Sequence, residues 1–315
     1  MAGRESPKAE SIRIRLNKTL RERGEDVQWA LQRYAIERFL FRLGKSKHRE
    51  KFVLKGATLF ALWGGNLYRP TRDMDFTGYG IQTAEEAVAC IQEVLETPVE
   101  EDGLQFESAA LTAEPIRDDA EYHGFRIQFQ ATLGKSRIPM QIDIGFGNAI
   151  QPPPLDEDYP TLLGDAKPNI RSYPKEAVVA EKLHALVILG ERNSRLKDFY
   201  DLCVLAQRFA FDSRRLSKAI AATFERRNTA LQGPLPDGLT PRFYSDSARS
   251  GQWRTYLQRN GLPGAPGDFN AVGEILRNFL GPIWDELTNP RGMSGEWAPG
   301  GQWPWLKTDS AKILN

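Results

Sequence analysis

Apolar residues recur at helical spacing from Ser11 to Gly44: Ile12, Leu16 and Leu20, then Val27, Leu31, Tyr34, Ala35, Phe39 and Leu43. This predicts two helices divided at Gly24. The pattern then changes: Phe52, Val53 and Leu54 form a short apolar run that stops at Gly56, which reads as a buried strand, and ATLFALWGG reads as a helix closed by Gly64 and Gly65. DMDFTGYG alternates as a strand does and ends in glycines; Ala84–Glu96 is amphipathic at helical period; Phe125–Leu133 and Pro139–Phe146 alternate again. QPPPLDEDYPTLLGDAKPNIRSYP has no sustained period and marks a junction. Beyond it, Lys175–Leu189, Leu196–Phe209 and Leu216–Arg226 read as helices. The expected fold is α/β in its α+β form: a mixed sheet with flanking helices over residues 1–150, then a mainly helical domain over 151–315 ending in an irregular Trp-rich tail. In that tail Trp297, Trp303 and Trp305 read as a strap packing its indoles onto helices, with a base-stacking platform as the alternative.

Composition adds bounds. With 315 residues and 41% hydrophobic content the chain can bury a sizeable core. Lys plus Arg number 42 against 41 Asp plus Glu, so a polyanion partner would need a local basic surface, such as Arg13, Arg15, Lys18, Arg21 and Arg23 or the stretch Lys45–Lys51. Cys90 and Cys203 have no partner spacing and read as buried thiols of a reducing compartment. No apolar run approaches the roughly 20 residues that span a bilayer, and no leader is evident, so the expected location is cytoplasmic with no membrane partner. His48, His123 and His184 have no triad or metal spacing, and there is no P-loop, Rossmann fingerprint or zinc motif.

The candidate chemistry lies on the strands. Side chains two apart on a strand share a face, so Asp73 and Asp75 point together while Met74 and Phe76 take the other side. In QIDIGFG, Ile142, Ile144 and Phe146 fill one face and leave Asp143 on the opposite one. If these strands pair, three carboxylates converge and demand a cation; hard oxygen ligands suit Mg²⁺, with Mn²⁺ able to replace it. Two such metals roughly 4 Å apart would support nucleotidyl transfer from a nucleoside triphosphate. From the DxD pair alone, two solvated acids on an exposed strand are the favoured reading. Lys55, Gly56, Ala57 and Thr58 shift the balance: a glycine where strand gives way to helix lets backbone N–H groups approach a phosphate, and Thr58 adds a hydroxyl. Arg69 and Arg72 flank the DxD strand as candidates for the triphosphate or the acceptor.

A strand, a glycine-bearing turn, a helix, a DxD strand and a later single Asp together resemble the nucleotidyltransferase superfamily of DNA polymerase β. Within it, RLGKSKHREKFVLKGATLFALWGGNLYRPTRDMDF together with VVAEKLHALVILGERNSRLKDFYDL resembles the AbiEii/AbiGii toxin family, from about Asp26 to Leu205. One departure is that Gly56 is followed by Ala57, where the superfamily turn reads Gly-Gly or Gly-Ser. The resemblance implies a Mg²⁺-dependent nucleotidyltransferase toxin of a bacterial toxin–antitoxin or phage-defence system. Its substrate would be a nucleoside triphosphate, its acceptor RNA, foremost the 3′ end of tRNA, and its partner a cognate antitoxin. Modification of a protein hydroxyl, or nucleotide binding without turnover, are the alternatives. The resemblance also assigns Asp73, Asp75 and Asp143 to the metal, and Lys182, Lys197, Asp198 and Asp201 to nucleotide binding and activity. On the helix from Leu196, the apolar stripe Phe199, Leu202, Cys203 and Ala206 sets Asp198 at its edge, with Asp201 and Lys197 further round, so Asp198 should have a cationic partner such as Lys182. An ordinary interhelical salt bridge is the competing reading.

Overall fold

The computed structural model describes residues 6–23, 27–64, 69, 71, 73–116, 124–147, 150–262, 265–292 and 294–304. Gly24, Gly65, Arg72, His123 and Trp305, each used in the sequence reading, lie outside the described residues, as does the side chain of Arg23. The chain divides into two compact units: Met1–Asn148 with Pro154–Tyr173, and Ala149–Pro153 with Pro174–Asn315.

The first unit is built on a mixed sheet. Its elements are α1 (Pro7–Arg23), α2 (Val27–Lys45), β1 (Phe52–Lys55), α3 (Leu59–Gly64), β2 (Asp73–Gly78), α4 (Ala84–Leu95), β3 (Leu104–Phe106), β4 (Thr112–Ile116), β5 (Gly124–Leu133), β6 (Ser136–Gly145), β7 (Leu155–Asp158) and β8 (Asn169–Ser172). The eight strands run β3-β5-β6-β2-β1-β8-β7, with β4 also on β5. β1 and β2 are antiparallel, β2 and β6 parallel, and β5 and β6 form a hairpin whose two-residue turn sets Leu133 opposite Ser136. Residues Pro154–Tyr173, placed by the sequence reading in the second domain, supply β7 and β8 and extend this sheet past β1. Short, polar strands such as LDED and NIRS carry no alternation that would announce them.

α2 covers one sheet face. Phe39 on its buried side meets Phe76 at 6.3 Å and Phe129 at 6.2 Å between ring centroids, and Met74, Ile142 and Ile144 are buried on the same face. The side chains of Asp73, Asp75 and Asp143 therefore belong to the other face, as strand alternation requires. The unit's last residue, Tyr173, is held at both ends: its N–H donates to the Leu54 carbonyl at 2.9 Å, and its hydroxyl lies 2.6 Å from Thr77 Oγ1, both side chains fully buried.

The second unit is mainly helical: α5 (Lys175–Leu189), α6 (Leu196–Arg208), β9 (Phe211–Asp212), α7 (Ser213–Arg226), α8 (Pro241–Tyr244), α9 (Ser247–Asn260), α10 (Phe269–Thr288) and β10 (Glu296–Trp297), with β9 and β10 paired antiparallel. Asp212, Asp246 and Asp268 cap α7, α9 and α10 through side-chain acceptance of backbone N–H groups. The tail is a strap: Trp297 and Trp303 are buried, and their indole N–H groups donate to the carbonyls of Ala206 and Phe279 at 2.7 and 2.8 Å. No described helix is long and apolar enough to cross a membrane.

Candidate active site

Strand register builds the site. Lys55 on β1 stands opposite Asp75 on β2, Asp75 opposite Asp143 on β6, and Asp143 opposite Arg126 on β5, so four charged residues form one row across the sheet. Asp73, two residues before Asp75, pairs in register with Gln141 and shares the face. The expectation that the DxD strand and the QIDIGFG strand pair is met, through a parallel ladder.

Two glycines shape the space around this row. Gly56 has φ +74°, and a Cβ placed there would fall 2.0 Å from Asp75 Oδ2. The bare Cα of this turn thus makes room for the Asp75 carboxylate, and the left-handed backbone requires glycine besides. Gly145 does the same for Lys55: a Cβ on it would lie 3.2 Å from the Lys55 ammonium, which rests over β6 on the acidic face. α3, which follows the turn, is only six residues long, so its dipole adds less than a full helix would. Thr58 is fully buried with its hydroxyl turned to the Asp73 carbonyl at 3.4 Å, and Tyr159 donates to the Thr58 carbonyl at 3.2 Å. Its hydroxyl therefore braces the turn against β2.

Asp143 is engaged by a residue absent from the sequence reading. Arg126 grips it with two parallel bonds, Nε to Oδ1 at 2.9 Å and Nη2 to Oδ2 at 2.7 Å, and Gln141 Nε2 donates to Oδ1 at 3.2 Å. Hydrogen bonding to Asp143 holds the Arg126 guanidinium above its ordinary pKa, with the charges of Asp143, Asp73 and Glu114 adding to the effect. Among the described residues, no group of three or more His, Cys, Asp and Glu side chains is drawn together closely enough to hold a metal ion. The residues nonetheless fit one in kind: Asp73, Asp75 and Asp143 offer hard oxygens on one face, and Asp143 already holds a cationic partner from the chain itself.

The second unit carries its own charged cluster. Lys182 on α5 reaches α6, with its ammonium 2.6 Å from Asp198 Oδ1 and 2.9 Å from Asp201 Oδ2. The partner expected for Asp198 is present. Asp201, expected further from the apolar stripe, is buried more deeply than Asp198, because α6 is enclosed on nearly every side from Asp198 to Ala206. Lys197 is exposed.

Arg69 is half-buried, and Arg13, Arg15, Lys18 and Arg21 are exposed along α1, Arg15 donating to the Leu163 carbonyl at 2.8 Å. His48 bonds Glu93, and His184 bonds Thr229 and Arg227. Cys90 and Cys203 are buried free thiols, as the sequence suggested.

Residues 38–278 match the family model described as the nucleotidyl transferase AbiEii toxin of type IV toxin–antitoxin systems. Among solved structures, JHP933 from Helicobacter pylori aligns over 90% of this chain and 97% of its own at 13% identity and a TM-score of 0.48. A second H. pylori protein, described as a candidate nucleotidyltransferase, aligns over 84% of this chain and 97% of its own at 14% identity and a TM-score of 0.46. No curated protein matches the sequence.

Proposed function

Because the chain belongs to the AbiEii family of nucleotidyltransferase toxins from type IV toxin–antitoxin systems, we propose that it transfers a nucleotide from a nucleoside triphosphate to the 3′ end of an RNA, foremost tRNA, and so halts translation. The observation that carries this reading is the opposition of Asp75 and Asp143 on neighbouring strands, with Asp73 and Lys55 on the same face beside the Gly56 turn.

Asp73, Asp75 and Asp143 would hold Mg²⁺, or Mn²⁺ in its place. When bound, the metal neutralises the acids and the triphosphate and stabilises the pyrophosphate leaving group. Lys55, a compact point charge on the same face, would meet the phosphates, and the Gly56 backbone would leave them a close approach. In the transfer, the acceptor's 3′-oxygen bonds to the α-phosphorus, the bond to the β-phosphate oxygen breaks, and the acceptor's proton passes to Asp143. Lys182 is assigned to the nucleotide as well, with Asp198 and Asp201 fixing its ammonium; Lys197 is assigned to the same ligand by family resemblance, and Arg72 by its place beside the DxD strand. The exposed basic residues of α1 suit an RNA backbone. A cognate antitoxin is the partner that the family implies, and the cytoplasm is the proposed location.

The test is incubation of the folded protein with each labelled nucleoside triphosphate, Mg²⁺ and total cellular RNA or lysate. Label at RNA 3′ ends is the expected result. Label in the protein fraction would replace the acceptor, and no transfer to any fraction would overturn the catalytic reading.

A further inference from the structure

The charged row continues one strand further. Arg126 stands opposite Glu114 on β4, so the sequence of side chains across five strands is Lys55, Asp75, Asp143, Arg126, Glu114. Both oxygens of Asp143 are taken, Oδ1 by Arg126 Nε and Gln141 Nε2 and Oδ2 by Arg126 Nη2. Those three bonds take three of the carboxylate's roughly four in-plane lone pairs, and the guanidinium's charge opposes a cation at the fourth, so a divalent ion competes with Arg126 for Asp143.

The two partners differ in freedom. The Asp143 side chain is 18% exposed and fixed also by Gln141, whose own amide oxygen accepts from Gln128 at 3.3 Å; the Arg126 side chain is 40% exposed. The acid is anchored and the base can withdraw. Glu114, an exposed acid directly across from Arg126, gives the released guanidinium a charge partner on the same face.

We propose that Arg126 is a placeholder cation. In the metal-free protein it occupies Asp143, and it must yield that carboxylate for a divalent ion to be held there. This rests on the nucleotidyltransferase reading and extends it: Arg126 is a positioning residue that sets how much metal the site demands, and it contributes no group to the transfer itself.

The test compares Mn²⁺ binding to wild type, R126Q, R126K and R126Q/D143N without nucleotide, by calorimetry, alongside melting temperatures with and without Mn²⁺. R126Q should bind Mn²⁺ roughly five- to tenfold more tightly than wild type, because one positive charge leaves the site and the two bonds from Arg126 to the Asp143 carboxylate are removed. R126K keeps the charge without the fork and should fall between them. R126Q/D143N should lose the gain. The metal-free R126Q protein should melt below wild type, with Mn²⁺ closing the gap; a purely structural pair would lower both values equally and overturn the proposal. Unchanged or weaker Mn²⁺ binding in R126Q and R126K, with label transfer by wild type intact, would sink the placeholder alone. Absence of Mn²⁺ binding to every variant, with or without nucleoside triphosphate, would sink the nucleotidyltransferase reading and the placeholder with it.

Discussion

The carboxylate of Asp75 occupies the volume in which a side chain on residue 56 would begin, with Oδ2 2.0 Å from the ideal Cβ position of Gly56. The glycine turn and the acidic strand are thus one steric unit: a side chain at residue 56 would displace the Asp75 carboxylate.

Gly56→Ala is therefore expected to be doubly penalised, by a left-handed φ of +74° and by displacement of Asp75. The stability loss should be about 1–3 kcal/mol, with nucleotidyl transfer abolished. A chemical denaturation curve and a transfer assay on one preparation check both. Wild-type values for both would remove the steric link.

Asp75→Asn and Asp73→Asn preserve volume and remove charge. Each protein should fold as wild type does, yet lose nucleotidyl transfer and growth inhibition, since neutral amide oxygens are poorer ligands for a hard cation. Growth inhibition retained by both folded variants would exclude the DxD strand from the chemistry.

Lys182 neutralises two carboxylates, of which Asp201 is 1% and Asp198 9% exposed. Lys182→Met should cost about 3 kcal/mol, because it strands buried negative charge. Adding Asp198→Asn and Asp201→Asn should restore much of the melting temperature. If Lys182 serves only to fasten the helices, the triple variant regains transfer too; under the proposed role it folds but binds nucleotide weakly. Nucleotide affinity measured on the triple variant separates the two.

Two buried groups give opposite responses to pH. Glu37, whose two oxygens accept from the Leu162 N–H at 3.1 and 2.9 Å beside Arg33, has its carboxyl pushed up to about 7 by burial. The folded chain takes that proton at higher pH than the unfolded chain, so its contribution is full below about pH 4.3 and is lost as pH rises to 7. His184 is pushed down to about 4, first by burial and then by Arg227. There the unfolded chain takes the proton first, so stability is lost as pH falls from about 6.5 toward 4. Glu37→Gln should remove the first slope and leave the acid-side loss exposed; His184→Asn should do the reverse. Calorimetric scans from pH 4.5 to 8 check this, and identical profiles for wild type and both variants would contradict it.

Much of the site was legible because its elements follow simple periods. The alternation in DMDF and QIDI placed the acids opposite the core residues, and the glycine after FVLK marked the turn. Arg126 was missed because FRIQF reads as an ordinary strand whose Arg faces solvent. A signal did exist: counting outward from the two-residue turn, with Leu133 opposite Ser136, brings Arg126 opposite Asp143. The depth of Asp201 was hidden for another reason, since a helical wheel assumes one wet face and α6 has almost none. α10 carried a readable stripe in Val272, Leu276, Phe279, Leu280 and Ile283, but Pro282 and the Gly- and Pro-rich stretches around it obscured the period.

Tyr173 has a mechanical consequence. It is the last residue of the first unit, and its amide and hydroxyl fasten it to Leu54 on β1 and Thr77 on β2. Leu54 immediately precedes Lys55, and Thr77 lies two residues beyond Asp75 on the same face. The chain's exit from the first unit is thereby tied to the two strands that carry the lysine and the acid, as well as to β8, which it continues.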